Sequence, residues 1–174
     1  MKKWICAVCA WLLCLLPAGC MRTGGGTVQP VTKGFTCQIA MQYRDLALKG
    51  QLSRQEDGRL LLTFSEPSSL CNVAIGCDGE KLTMELAGMS IAVDPEKVPH
   101  RALIACLQRA FSQKTASVRT GSEGLVVEAG DGGTACTLVC DLTTGLPRSL
   151  SMPEEELEAA FSDVHLLTPL DTGS

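Results

Sequence analysis

The chain has 174 residues, of which 45% are hydrophobic, 20% are charged and 4% are aromatic, and its formal net charge is −4. Beyond residue 19 it holds 13 Lys and Arg against 19 Asp and Glu, so the net charge of that part is −6. This length allows one domain with its own core, and the acidic balance without a basic run argues against a nucleic-acid binder.

The first nineteen residues are typical of a signal peptide. Two lysines precede thirteen apolar residues, Trp4–Leu16, which is shorter than the ~20 needed to span a membrane. Small residues then stand directly before Cys20, and the stretch resembles a bacterial lipobox, although Pro17 occupies the place where that pattern prefers Leu. We therefore expect a lipid anchor on Cys20 that holds the protein at the extracytoplasmic face of the cell membrane. The alternative is an ordinary secretory signal that is cut nearby.

The rest of the chain divides into a tether, a domain and a tail. Residues 20–34 contain the lipidated Cys and then a stretch with three consecutive glycines, Gly24–Gly26, and no apolar period, which is typical of a flexible tether. Residues 35–168 show regular apolar patterns without a second linker and are predicted to form one domain. Residues 169–174 are predicted to be a disordered tail.

Most of the domain alternates apolar and polar residues with a period of two, which predicts β-strands separated by turns such as Asp57-Gly58. Pro95–Ser112 instead has apolar residues at helical spacing and predicts one helix that starts near Pro99. Residues 154–160 are left open as a further helical turn. In chain order the strands are predicted at 35–43, 46–52, 60–64, 71–77, 82–86 and 89–93 before the helix, and at 115–119, 124–129, 134–142, 146–151 and 159–166 after it.

These elements predict a mainly β fold of the α+β type. Short loops favour sequential antiparallel pairing, and a sheet of about eleven strands must curl because strands twist. We therefore predict a half-open barrel with the amphipathic helix packed in its concave face. One helix covers little of such a face, so we expect an apolar cavity. Its predicted lining is Leu62, Phe64, Val73, Ile75, Met84, Ile91, Leu103, Leu107 and Phe111.

The order of these elements resembles a known family. The chain resembles the LolA/LolB/RseB-like superfamily, of the type found in Firmicutes. The features that carry this resemblance are a lipobox, an antiparallel meander, a strand that runs from Leu60 into Glu66-Pro67, an Asp78-Gly79 turn and a helix in mid-chain. The resemblance implies a half-open barrel with an internal helix and a hydrophobic cavity that binds acyl chains or lipidated protein. The chain differs from LolA in its predicted anchor, which is similar to that of LolB, and in having few aromatic residues.

The residues do not favour catalysis. Six cysteines follow the lipobox; we interpret them as small buried apolar residues, with disulfides between neighbouring strands as the alternative. Beyond the predicted signal peptide the sequence has no C-x-x-C, G-x-S-x-G or H-E-x-x-H motif, and His100 and His165 are interpreted as an exposed and a packing residue. The acidic run Glu154–Glu156 is interpreted as a solvated helix start. We expect no enzyme activity, metal or cofactor.

Two functions are compatible with these sequence patterns. The first is a membrane-anchored, extracytoplasmic lipoprotein that binds acyl-chain lipid or lipidated protein in its apolar cavity. The alternative is a scaffold lipoprotein of an envelope or spore-germination complex, in which the barrel binds a protein partner. Neither function includes a nucleic acid.

Overall fold

In the computed structural model, residues 31, 33–78, 81–99, 102–112, 117–129 and 135–167 are described, and these form eleven β-strands and one α-helix. Three short 3-10 turns, at Ser68–Leu70, Pro95–Lys97 and Pro153–Glu155, connect some of them. The strands are β1 (Phe35–Tyr43), β2 (Leu46–Arg54), β3 (Leu60–Glu66), β4 (Val73–Cys77), β5 (Leu82–Leu86), β6 (Met89–Val93), β7 (Ser117–Thr120), β8 (Leu125–Ala129), β9 (Cys136–Cys140), β10 (Pro147–Met152) and β11 (Leu157–Leu166); the helix is α1 (Leu103–Ser112).

All eleven strands belong to one sheet with the order β6-β5-β4-β3-β2-β1-β11-β10-β9-β8-β7. Every pair is antiparallel, and each joins strands that are consecutive in sequence except β1 and β11. Phe35 pairs with Leu166 in that exception, so the start and the end of the domain meet in the middle of the sheet. The ends of the order are β6 and β7, and the sheet is open. The predicted mainly β fold with one helix is confirmed.

The position of α1 shows that the sheet is curled. The helix contacts both β4 and β9, which are six positions apart in the sheet order. In a flat sheet these strands would be about 29 Å apart, whereas a helix with its side chains is about 10–12 Å wide. One helix can reach both strands only because the sheet wraps around it. The core lies between the concave face and α1, whose buried residues are Ile104, Cys106, Leu107, Ala110 and Phe111.

Some boundaries differ from the predicted ones. The helix begins at Leu103 instead of near Pro99, and Pro95–Lys97 forms a separate 3-10 turn. Pro99 ends this turn, because a proline biases the residue before it away from helical geometry. The open question at 154–160 is answered by a 3-10 turn that ends at Glu155. Glu156 follows with a φ of 54°, outside the helical region, and β11 begins at Leu157. The predicted fourth strand begins at Val73, so Cys71 lies outside it and is exposed.

The packed domain begins before its predicted boundary. Val31, which falls in the predicted tether, is buried, and its backbone N–H donates to the Gly145 carbonyl at 3.0 Å. The signal peptide of residues 1–19, Cys20 and the tail of residues 169–174 lie outside the described residues. Among the residues that the structure describes, no helix is long and apolar enough to cross a membrane.

Candidate ligand-binding site

The strand register aligns the concave side chains in rows that run across the sheet. One row joins Leu52, Leu62, Ile75, Met84 and Ile91, each directly opposite the next on the neighbouring strand. Leu52 and Leu62 are fully buried, whereas Met84 is 39% and Ile91 is 60% exposed. The concave face therefore continues from the packed core into the open at β5 and β6.

A second row extends this exposed surface. Leu86 lies opposite both Val73 and Met89, and Leu86 and Met89 are 44% and 64% exposed. The charged residue of these two strands, Glu85, pairs with Ala74 and Ser90 on the opposite face. We call the apolar surface the open wall; it consists of Val73, Ile75, Met84, Leu86, Met89 and Ile91. Single exposed apolar residues are ordinary, but a contiguous patch marks a binding surface.

The structure divides the predicted cavity lining into two groups. Leu62, Phe64, Leu107 and Phe111 are buried in the core, and Leu103 packs against it. The remaining members, Val73, Ile75, Met84 and Ile91, lie on the open wall. Leu86 and Met89 were missing from the prediction, although the same alternation places them on this face.

Phe111 fills the middle of the concave face. Its ring lies edge-on to Phe35 of β1 at 5.6 Å and to Phe161 of β11 at 5.9 Å between ring centroids. Edge-to-face pairs of this kind add to the stabilisation that comes from burying the rings. In this conformation the region beneath α1 is therefore occupied by protein, and the open wall is an accessible apolar part of the concave face.

A guanidinium interrupts the concave face beside the open wall. Arg54 has the same strand parity as buried Leu52 and lies in the row between Phe35 and Leu60. Its Nε and Nη1 atoms are buried without a hydrogen-bond partner among the described residues. Burial lowers the pKa of Arg54, which the charge of Asp57 partly opposes. Each buried donor that lacks an acceptor costs about 1–3 kcal/mol, so this position is unfavourable unless another group binds there.

Arg54 lines a cleft of about 300 Å³ at this end of the barrel. The cleft lies between the β2–β3 turn, the residue that follows β4 and the C-terminal end of α1. Its lining combines polar and apolar groups: Arg54, Glu56, Asp57, Gly58, Leu60, Asp78, Gln108, Phe111 and Ser112. The cleft was not predicted from the sequence, because the prediction used only the apolar members of each strand.

A buried ion pair joins α1 to the other half of the sheet. Arg109 Nη2 donates to Glu155 Oε1 at 2.7 Å, and the Glu155 side chain is 2% exposed against 34% for Arg109. Burial alone would lower the pKa of Arg109, but hydrogen bonds with Glu155 and Cys106 raise it above its ordinary value. The interpretation of Glu154–Glu156 as a solvated run is thus wrong for Glu155, because Arg109 compensates its charge inside the protein.

The cysteines do not form a reactive centre. All six described cysteines are free thiols; five are buried, and Cys71 is exposed. Burial raises the pKa of Cys37 and Cys140 to about 12 and that of Cys136 to about 11, so these thiols are protonated and unreactive at neutral pH. Within the described ranges no cluster of His, Cys, Asp or Glu is placed to hold a metal ion. His165 is exposed rather than packed, and His100 lies outside the described residues.

The open antiparallel sheet wrapped around one helix defines the fold as a half-open β-barrel. No family model matches the sequence, and no curated protein is similar to it in sequence. Among solved structures, an uncharacterized conserved protein from Thermus thermophilus is similar, with 9% identity and a TM-score of 0.51 over 79% of this chain and 81% of that one.

Two further structures are similar to this chain. A LolA superfamily protein from Nitrosomonas europaea has 12% identity and a TM-score of 0.46, over 83% of this chain and 90% of that one. MucB, solved in complex with MucA, has 10% identity and a TM-score of 0.44, over 79% of this chain and 52% of that one. A LolA superfamily protein is thus among the solved structures that are similar to this chain in fold.

Proposed function

We propose that the protein is a non-catalytic, membrane-anchored extracytoplasmic lipoprotein that binds acyl chains or lipidated protein through the concave face of its half-barrel. The observation that carries this proposal is the open wall, where the apolar concave face of β4–β6 continues beyond the helix into solvent. Burying such a surface against hydrocarbon gains about 25 cal/mol per Å² of apolar area removed from water. The anchor at Cys20 would hold this face near the membrane surface.

The open wall suits a flexible hydrocarbon chain. Met84 and Met89 are unbranched and polarizable, and such side chains adapt to ligands of variable shape. Glu85, Ser90 and Ala92 point to the other face of the same strands, so no charge interrupts the apolar surface within β5 and β6. A chain could lie across the strands along the row of Ile75, Met84 and Ile91.

Displacement of a fluorescent fatty acid by the chain from Met21 onward tests this function. Ile91→Asp should abolish binding, because it places an unpaired carboxylate against hydrocarbon. Ala92→Asp is the matched control, since it adds the same charge to the adjacent residue of β6 on the opposite face. Both residues are exposed, so both variants should fold, which circular dichroism checks. Equal binding by the two variants would contradict the proposal.

The alternative function, binding of a protein partner, is favoured by one observation. β6 ends the sheet order, so one edge of its backbone has no neighbouring strand among those described, and such an edge can pair with an added strand. A folded chain that binds no fatty acid, but binds an extended peptide in a manner blocked by Ser90→Pro, would favour this alternative.

A further inference from the structure

Arg54 carries the charge on the concave side of β2. Leu48, Gly50 and Leu52 precede it on the same face and are all buried. The rows of Arg54 and Leu52 are adjacent, about 7 Å apart along the strand, so the guanidinium lies beside the row that leads to the open wall. The charge therefore stands two strands away from the open wall, in the row next to the one that leads to it.

The nearby carboxylates do not satisfy this guanidinium. Asp57 Oδ2 accepts from Arg59 Nε at 2.7 Å, and its Oδ1 accepts from the Arg59 backbone N–H at 3.1 Å. Asp78 Oδ1 accepts from the Lys81 backbone N–H at 2.6 Å. Arg54 Nε and Nη1 meanwhile have no acceptor among the described residues. The cleft thus contains a planar donor group with unused hydrogen-bonding capacity, and that group pairs best with a carboxylate or a phosphate.

Resting on the proposed function, we propose that Arg54 binds the singly charged carboxylate of a fatty acid whose chain extends onto the open wall. The cleft that Arg54 lines has room for such a head group, and Leu60 and Phe111 form the apolar part of its lining. The guanidinium turns towards the cleft to form paired hydrogen bonds with the two carboxylate oxygens.

The other charges among the described residues of the cleft are negative, and they disfavour a doubly charged anion. Glu56, Asp57 and Asp78 line it, and the C-terminal end of α1 adds partial negative charge through its carbonyl groups. These groups repel a dianion, such as a phosphate monoester, more than a monoanion. If Arg54 did not determine the selectivity, the same groups would attract a cationic head group instead. A preference for a cationic ligand would therefore contradict the proposal.

The test uses the full-length chain in isolated membranes and a photoactivatable palmitate as the probe. Competition by dodecanoate, dodecan-1-ol and dodecyltrimethylammonium compares an anionic, a neutral and a cationic head on one chain length, and acetate tests the carboxylate alone. For the wild type we expect dodecanoate to compete about tenfold more strongly than dodecan-1-ol, since a hydrogen bond to a charged group contributes at least about a factor of ten.

Variants at Arg54 separate the head group from the chain. Arg54→Met should remove the preference for dodecanoate and leave competition by dodecan-1-ol unchanged, which also reports that the variant is folded. Arg54→Lys keeps the charge without the planar fork and should keep a smaller preference. Arg148→Met is the control, because it removes an exposed arginine that pairs with Asp141 at 2.8 Å, away from the cleft. It should keep the full preference.

The outcomes distinguish the two proposals. If none of the twelve-carbon compounds displaces the probe, the proposed function fails, and this inference fails with it. If dodecanoate and dodecan-1-ol compete equally, or if dodecyltrimethylammonium competes best, the chain is bound but the role of Arg54 is wrong. Competition by acetate at the concentration at which dodecanoate competes would show a free carboxylate site and overturn the link to the acyl chain. If neither dodecanoate nor dodecan-1-ol competes with the probe on Arg54→Met, the result for Arg54→Lys decides. A preference of Arg54→Lys for dodecanoate over dodecan-1-ol supports the inference, and the absence of that preference overturns it.

Discussion

Removing either partner of the Arg109–Glu155 pair should destabilise the protein by unequal amounts. Glu155 is 2% exposed, and its Oε2 atom is buried without a hydrogen-bond partner among the described residues, so its charge depends on Arg109 for compensation. Arg109→Met leaves that carboxylate buried and unpaired, for which the usual cost is about 3–5 kcal/mol. We expect about 3 kcal/mol, since water reaches a third of the Arg109 side chain and can approach the site.

The opposite substitution should cost less. Glu155→Gln removes the charge that compensates Arg109, but the guanidinium is 34% exposed and can turn towards water. The double variant Arg109→Met/Glu155→Gln should recover most of the loss of Arg109→Met, because no buried charge remains at the pair. Arg119→Met is the control: Arg119 and Glu128 form a pair of the same length, 2.7 Å, but are 61% and 45% exposed, and we expect no measurable change.

The measurement is denaturant unfolding of the chain from Met21 onward, followed by far-ultraviolet circular dichroism. Tryptophan fluorescence is unsuitable because both tryptophans, Trp4 and Trp11, precede that start. The assigned role of the pair is refuted if Arg109→Met costs less than about 1 kcal/mol, the range of exposed pairs, or if Glu155→Gln costs as much as Arg109→Met. A double variant that is no more stable than Arg109→Met would contradict it as well.

Three further predictions concern single residues. Phe111→Ala should lower the free energy of unfolding by about 3–5 kcal/mol in the same assay, as expected for a fully buried ring, and a loss below about 1 kcal/mol would mean that α1 is not packed as described. Since burial raises the pKa of Cys37 from 9.0 to about 12, the folded state keeps a proton that the unfolded state loses, so stability should fall as the pH rises from 9 towards 12. Cys37 contributes up to about 1.4 kcal/mol per pH unit to this slope, in addition to Cys136 and Cys140, whose pKa values are also raised, and Cys37→Ala should reduce the slope by that amount; an unchanged slope would contradict the assignment. Cys20→Ser should release the domain into the soluble fraction or leave an uncut precursor, and unchanged membrane fractionation with the wild-type mature mass would refute the lipid anchor.

Local patterns were sufficient to predict the strands. Alternation decides which residues of each strand face the core, and turn residues such as Gly58 and Gly88, with φ of 90° and 83°, are required where hairpins reverse. Both signals act within a few residues and can therefore be read from the sequence alone. The order of the strands in the sheet could be predicted from these strands, because strands joined by short loops usually pair with each other.

The site was predicted less completely because it depends on contacts between distant parts of the chain. Glu155 looks solvated in its acidic run, and only the placement of α1 shows that Arg109, 46 residues earlier, compensates it. The extent of the open wall depends on how much of the concave face α1 covers. A helix of ten residues is about 15 Å long, whereas eleven strands span about 48 Å of sheet. Periodicity placed Met84 and Ile91 on the concave face but could not show that α1 leaves them exposed.

The pairing of β1 with β11 has a consequence for how the chain folds. The other nine pairings form within hairpins or across short connections, and such contacts close quickly. Phe35 pairs with Leu166, so when the chain emerges with its N-terminus first, this edge of β1 stays unpaired until β11 has been synthesised. During that interval the first half-sheet has two unpaired edges, β1 and β6, which can add strands from another copy. The chain is therefore most susceptible to aggregation just before its last strand is in place, and β11 acts as the closing strand that ends this exposure.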